Sequence, residues 1–309
     1  MGTIGYYLFY AINWLLTLLP LWVLYLLSDL MYVLLYHLIS YRKKVVVSNI
    51  ANSFPEKTPE ERKVIEKKFY RHLCDIMVES FKLSHISEAE HSRRMKIVNP
   101  ELLNDFCDRN RDVIAIAGHY NNWEYTTILA VHTKLQLVTL YKPLSNKHFD
   151  SYMKKTRSKY TVIMTPMSNV LREIVSLRNR NIRTMYGFIS DQTPPKNEIR
   201  YWTTFLNQDT PVFTGAERIA VKYDMPVVFL NIQKIKRGYY TMTIELLFDH
   251  TAGLTDQVIT EAHVRRLEQL IREKPEFWLW SHRRWKHKKP AELKQTETVT
   301  EQQELQPVL

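Results

Sequence analysis

The segment Val113-Ile114-Ala115-Ile116-Ala117-Gly118-His119-Tyr120-Asn121-Asn122-Trp123-Glu124 decides how the rest of the chain is read. Its first five residues are all apolar and follow the polar Arg109-Asn110-Arg111-Asp112, which is the pattern of a strand buried on both faces. Such strands belong to mostly parallel sheets covered by helices. The run stops at Gly118, where the backbone is free to turn, so His119 falls at the carboxyl edge of the sheet, where open α/β folds hold their ligands. Asn121 or Asn122 caps the helix expected next. That helix puts Glu124 in its first turn, where the positive helix end favours an acid and from where the carboxylate approaches His119. A carboxylate beside a histidine fixes its tautomer and stabilises the imidazolium formed when it accepts a proton.

Outward from this segment the same alternation continues. Apolar runs at Leu135–Tyr141, Thr184–Ile189 and Val227–Ile232 alternate with helical stretches at Asn169–Leu177 and Gly215–Lys222, and Tyr239–Phe248 reads as a further strand. Upstream, Glu60–Leu83 carries Val64, Ile65, Phe69, Leu73, Ile76, Met77 and Phe81 close to helical spacing. Its start is marked by Thr58 as N-cap and Pro59 at the first helical position. The fold class expected is therefore α/β, a central mostly parallel sheet flanked by helices.

The first 41 residues have a different character. No side chain from Met1 to Leu27 is charged, and the apolar run from Leu8 to Leu27 is long enough to cross about 30 Å of hydrocarbon as a helix. Trp22 and Tyr25 suit the membrane interface. Taken to Tyr41 as one helix the segment reaches about 54 Å, more than one bilayer, so its second half is expected in the interface. A cleavable signal fits poorly, for want of a basic leader and a small-residue cleavage site. Arg42-Lys43-Lys44 follow at once, and the positive-inside rule then puts the bulk of the chain in the cytoplasm. The organisation expected is an N-terminal transmembrane helix and interfacial segment over residues 1–41, one catalytic domain over 42–288, and a polar tail over 289–309 without an apolar face.

Composition agrees with one folded domain and an anionic partner. The chain has 309 residues, 45% hydrophobic and 24% charged, with 43 Lys and Arg against 32 Asp and Glu for a net charge of +11. Nucleic acid, a phosphate-bearing ligand and an acidic membrane surface all suit that charge, but the N-terminal segment makes nucleic acid the poorer fit. Cys74 and Cys107 are too few and too far apart for a zinc cluster or a disulfide framework. No HExxH pattern and no Gly-x-Ser-x-Gly elbow occurs, which leaves direct transfer with His119 as general base toward a hydroxyl.

Several motifs recur in a fixed order. Gly118-His119-x-x-Asn122-Trp123-Glu124 is preceded by Tyr41-Arg42-Lys43-Lys44, Asn49 and Ser53-Phe54-Pro55-Glu56. It is followed by Tyr141-Lys142-Pro143, Asp191-Gln192 and Pro275-Glu276-Phe277-Trp278-Leu279-Trp280-Ser281-His282-Arg283-Arg284-Trp285-Lys286. In these the chain resembles the bacterial lipid A late acyltransferases, with their His-x4-Glu signature, over most of its length. The resemblance implies a glycerolipid-acyltransferase-like fold. It also implies transfer of a fatty acyl chain from an acyl carrier protein thioester to a hydroxyl of a phosphorylated glycolipid, the lipid A precursor, at the cytoplasmic face of the bacterial inner membrane, with no metal or tightly bound cofactor. By the same resemblance His119 deprotonates the hydroxyl, Glu124 supports it, Lys142 and Arg157 bring positive charge, Asn122 belongs to the substrate-binding set, and Asp191 and Gln192 border the pocket. Lys142 stands where many relatives have Arg, which loses the bidentate fork, and Phe205-Leu206-Asn207 replaces the family's paired aromatics and Gly in a segment expected to shape the acyl pocket. Two further readings remain: the same chemistry on another membrane lipid (glycerol-based, mannoside or amino-acid lipid), and a membrane-tethered lipid-binding protein without activity.

Overall fold

The structure, a computed structural model, describes residues 3–291. From residue 292 onward the expected polar tail lies outside the described residues. Nine strands and ten α-helices are described: β1 (Met95–Ile97), β2 (Val113–Ala117), β3 (Gln136–Tyr141), β4 (Ile163–Pro166), β5 (Thr184–Ile189), β6 (Tyr201–Phe205), β7 (Gln208–Val212), β8 (Val227–Lys236) and β9 (Tyr239–Phe248). The helices are α1 (Thr3–Leu18), α2 (Leu21–Tyr32), α3 (Lys43–Ser53), α4 (Pro59–Leu83), α5 (Glu88–Arg94), α6 (Glu101–Asp108), α7 (Lys147–Arg157), α8 (Val170–Asn179), α9 (Gly215–Tyr223) and α10 (Val258–Glu273).

Seven strands form one sheet in the order β1-β9-β8-β2-β5-β3-β4, in which only the β8–β9 pair is antiparallel. The expected mostly parallel α/β sheet is the one found. β2 lies at its centre, and its five residues divide by the period of two: Val113, Ala115 and Ala117 join the core under α4, α5 and α6, while Ile114 and Ile116 join the core under α8 and α9. That two-sided burial is the reason the strand carries no polar residue. β6 and β7 form a separate antiparallel hairpin that the sequence reading did not anticipate. Its short connection puts Leu206 and Asn207 both at positive φ, which holds even without glycine because Glu268 accepts the Leu206 N–H at 2.9 Å.

Helix α4 starts as expected, with Thr58 accepting the N–H of Glu61 at 3.2 Å and Glu61 accepting that of Thr58 at 2.7 Å. The N-terminal segment departs from expectation. Pro20 ends α1, so the stretch 8–27 is two helices rather than one, and the helix long and apolar enough to cross a membrane is Leu21–Leu38, where α2 runs into a π-helical turn at Val33–Leu38. One face of α2 is docked on α4 through Leu21, Leu24, Ser28 and Tyr32. Polar ties reinforce it: Ser28 donates to Asp75 at 2.8 Å, and Arg237 bonds both Asp29 and Asp75 at 2.7 Å. The other face, with Trp22, Leu26, Leu30, Leu38 and Ile39, is bare.

The chain after α10 returns beneath the carboxyl edge of the sheet. Tyr120 pairs with Trp278 in an isolated antiparallel bridge, and Asn121 donates its N–H to the Phe277 carbonyl at 3.0 Å. Trp280 is fully buried against Phe54 and Trp278, with its indole N–H on the Pro275 carbonyl at 2.6 Å. Replacement of Trp280 by Ala therefore removes a large core side chain and is expected to cost about 3–5 kcal/mol, read as a lowered urea midpoint of the detergent-solubilised protein at constant slope.

Candidate active site

His119 and Asp191 leave the sheet side by side because β2 and β5 are adjacent and parallel, with Ala117 opposite Ile189 and the Ser190 N–H on the Ala117 carbonyl. Two residues beyond each strand the side chains meet. His119 Nδ1 lies 2.6 Å from Asp191 Oδ1, and the His119 backbone N–H donates to Asp191 Oδ2 at 2.8 Å. The indole N–H of Trp278 donates to the same Oδ2 at 2.8 Å. Burial alone pushes the Asp191 carboxyl up, but the charge of His119 and the hydrogen bonds from His119 and Trp278 outweigh it and hold it at about 2. An ionised Asp191 accepts from Nδ1–H, so the free lone pair of the neutral ring is on Nε2, where the Gln192 amide nitrogen sits at 3.2 Å.

The expected partner of His119 was Glu124, and here the structure differs. Glu124 lies in the first turn of the 3₁₀ helix Trp123–Val131 and is clamped by Arg157, whose Nε donates to Oε2 at 2.8 Å and whose Nη2 donates to Oε1. Burial raises the Glu124 carboxyl, and the Arg157 charge with its hydrogen bonds reverses this, leaving it below the ordinary range. The acid that orients the imidazole is Asp191, and Glu124 faces His119 only as a nearby charge. The reason is topological. A 3₁₀ turn cannot bring a side chain five positions on back to Nδ1 as directly as the neighbouring strand can.

Asn122 also differs from expectation. It caps the 3₁₀ helix, accepting the Tyr125 N–H at 3.1 Å, and its amide donates to Glu79 at 2.6 Å from a fully buried position. Both ends of the side chain are thus engaged within the core, behind the groove. Glu79, which also accepts from the Tyr25 and Tyr240 hydroxyls at 2.9 Å each, is pushed up to about 7 by burial and by Asp75. Asn122 orients the turn that carries Trp123 and Glu124.

His119, Glu124, Arg157, Lys142 and Gln192 line one open groove of about 1730 Å³, counting the space at its mouth. Apolar walls are supplied by Trp123, Leu140, Phe149, Met153, Met164 and Ile189. Trp123 stands edge-on to the His119 ring at 4.9 Å between centroids. Lys142 is exposed at the end of β3. Arg157, expected to bring positive charge, lines the groove as a half-buried fork on Glu124. The expected acyl-pocket segment 205–207 does not reach this groove. Phe205 instead lines a separate, nearly filled crevice on the other side of Asp191, with about 10 Å³ open to a water-sized group, together with Phe229, His263, Leu267 and the buried Arg284.

The partnership of Asp191 with His119 was missed from sequence, although a signal existed: Thr184–Ile189 ends two residues before Asp191 just as Val113–Ala117 ends two residues before His119. Among the described residues no group of three or more His, Cys, Asp or Glu side chains gathers in metal-binding geometry.

A histidine oriented by a buried aspartate, opening onto a groove with apolar walls and an arginine at its side, brings a proton acceptor, apolar surface and positive charge together in one place. The chain belongs to the family described as bacterial lipid A biosynthesis acyltransferase, whose sequence profile matches residues 1–287, and the protein is accordingly an acyltransferase. A search of curated proteins gives no match. Among solved structures the chain is similar to the 1-acyl-sn-glycerophosphate (LPA) acyltransferase PlsC from Thermotoga maritima, at 14% identity and a TM-score of 0.37, over 84% of this chain and 96% of that one.

Replacing Asp191 with Asn removes the charge that fixes the His119 tautomer, and turnover is expected to fall by about 10²-fold or more. The same change carries a stability signature. A carboxyl held at about 2 in the folded state contributes stability that is fully present above about pH 4 and lost as pH falls through about 2. The fall of the urea midpoint between those values should be shallower in D191N than in the native protein.

Proposed function

We propose that the protein transfers a fatty acyl chain from an acyl carrier protein thioester to a hydroxyl of a phosphorylated lipid A precursor. The reading rests on one observation above the others: the Asp191–His119 pair, with Nε2 facing a groove that also presents the Arg157–Glu124 fork. In the reaction the acceptor hydroxyl displaces Gln192 and gives its proton to His119 Nε2. Its oxygen attacks the thioester carbonyl, the C–S bond breaks, and the imidazolium returns the proton to the departing thiolate. Asp191 stabilises the imidazolium throughout, in the place first expected of Glu124.

Glu124 acts through Arg157, which it holds at the groove by two hydrogen bonds so that the guanidinium offers positive charge to the oxyanion or to a phosphate. Lys142 adds a second positive charge at the rim. The residues present supply the proton acceptor and the charge stabilisation for this transfer themselves.

The apolar bare face of α2 and the Arg42-Lys43-Lys44 triplet support a place at the cytoplasmic face of the bacterial inner membrane, with the groove reached from the bilayer surface. The same chemistry directed at another membrane lipid stays open to the same test.

Changing His119 to Ala is expected to reduce acyl transfer to background in a protein that still folds, with a lowered thermal midpoint because the buried Asp191 loses the imidazole as a partner; near-normal turnover would remove His119 from this role. Mass spectrometry of total lipids from cells with and without the gene identifies the acceptor. Loss of one acyl chain from lipid A is the expected outcome, and a change confined to another lipid would overturn the lipid A assignment while keeping the chemistry. Purified protein that binds lipid yet transfers from no acyl carrier thioester would overturn the chemistry itself.

A further inference from the structure

Helix α7 separates two different spaces. Phe149, Asp150, Met153, Lys154 and Arg157 face the catalytic groove, while Tyr152, Lys155 and Thr156 on its opposite side, with Ser158 and Lys159 beyond its end, line a second cavity of about 640 Å³. About 190 Å³ of this is space that a water-sized group can enter, the rest lying at its margins and open mouth. The far wall is α1, through Tyr10, Asn13 and Trp14, and the floor is the end of α4, through Ser84 and His85.

Its chemistry is one-sided. Lys155, Lys159 and His85 line it and no Asp or Glu does. His85 is pushed below the ordinary imidazole range by burial and then by the charges of Lys159, Lys82 and Lys155, which shows that a positive field converges there. Lys159 is fixed in place by donating to the Leu83 carbonyl at 3.3 Å and to that of Ile86. Asn13, 3% exposed, donates from Nδ2 to the Tyr152 hydroxyl at 2.7 Å and keeps Oδ1 without a protein partner. A buried acceptor left unmatched costs free energy unless a ligand donates to it.

The position on the fold selects the source of that ligand. The wall formed by α1 continues into its bare apolar face, where Ile12, Leu15 and Leu18 are each about half exposed (49%, 57% and 59%), and Tyr10 and Trp14 stand at the edge between that face and the cavity. Aromatic residues at such a boundary are characteristic of the level of lipid headgroups. A soluble phosphate would need no adjoining apolar surface.

We propose that this cavity binds the headgroup of one anionic, hydroxyl-bearing glycerophospholipid of the bilayer, its phosphate on Lys155 and Lys159, a headgroup hydroxyl donating to Asn13 Oδ1, and its acyl chains along α1. The bound lipid is an accessory one, not a substrate. It stands on the opposite side of α7 from His119 and ties the helix that carries Arg157 to the membrane surface.

The test uses the full chain in nanodiscs of phosphatidylcholine containing phosphatidylglycerol, extracted gently into detergent, with retained lipid counted by native mass spectrometry. One retained phosphatidylglycerol per chain is expected. Lys155→Gln, at an exposed position, should lower that retention about five-fold, the effect of one lysine near an anionic surface, and Lys155→Glu should lower it further. Lys147→Gln removes the same charge from the same helix away from the cavity and should leave retention unchanged. Retention of phosphatidylcholine to the same extent, an equal loss in Lys147→Gln, or displacement of the lipid by inorganic phosphate at matched ionic strength would each overturn the proposal. The readout does not involve acyl transfer, so it stands or falls separately from the proposed reaction.

Discussion

The buried Asp191 carboxylate is the point on which the arrangement depends. It accepts three hydrogen bonds, from the backbone and the imidazole of His119 at the end of β2 and from the indole of Trp278 in the returning C-terminal segment. These elements are distant in sequence, and all three converge on this group. A charge so deeply placed is tolerated because all its donors are aligned and one of them becomes cationic in the reaction. Close packing adds to the constraint: a Cβ at Gly118 would come within 2.8 Å of the Leu267 methyls on α10 and 3.4 Å of Asp191 Oδ2, so a larger residue there would have to push the Leu267 side chain aside.

Around this point the charges are sorted into pairs with distinct tasks. Asp191 takes His119, Glu124 takes Arg157, and Glu79, deeper and raised to about 7, takes the Asn122 amide and two tyrosine hydroxyls. Each acid sits on a different element: the loop after β5, the 3₁₀ helix, and α4. Lys142 and Lys155, by contrast, line the groove and the cavity on the other side of α7, where they offer positive charge to an anionic ligand. The C-terminal aromatics serve the core. Trp278, Trp280 and Trp285 pack together, and the indole of Trp285 donates to Thr210 at 2.7 Å on the β6–β7 hairpin.

Much of the fold was legible in residue order because its signals are local. A wholly apolar run marked β2, since a strand covered on both faces has nowhere to place a polar side chain, and mainly apolar runs marked β5 and the first half of β8. The start of α4 was readable from Thr58 and Pro59, because a capping box needs only neighbours three positions apart. β1, β4 and the hairpin were not legible: three or four residues carry too little periodicity, and β6 and β7 expose half of theirs. The membrane segment was recognised by composition, yet its division at Pro20 and the docking of α2 on α4 depend on partners, Asp75, Glu79 and Arg237, that lie far along the chain.

The sequence by itself determined the sheet's central strand, the placement of His119 at its carboxyl edge, the acid five positions on, and the apolar N-terminus, because each is written in spacing or composition over a few residues. Only the tertiary structure decided which acid serves the histidine. Asp191 lies 72 positions away from His119 in the chain, and it arrives because β5 pairs with β2 in parallel register. Hydrogen bonding between neighbouring strands is a property of the sheet order, which no local pattern encodes. Packing between distant elements likewise set Arg157 of α7 on Glu124 and turned Asn122 onto Glu79 of α4, away from the groove.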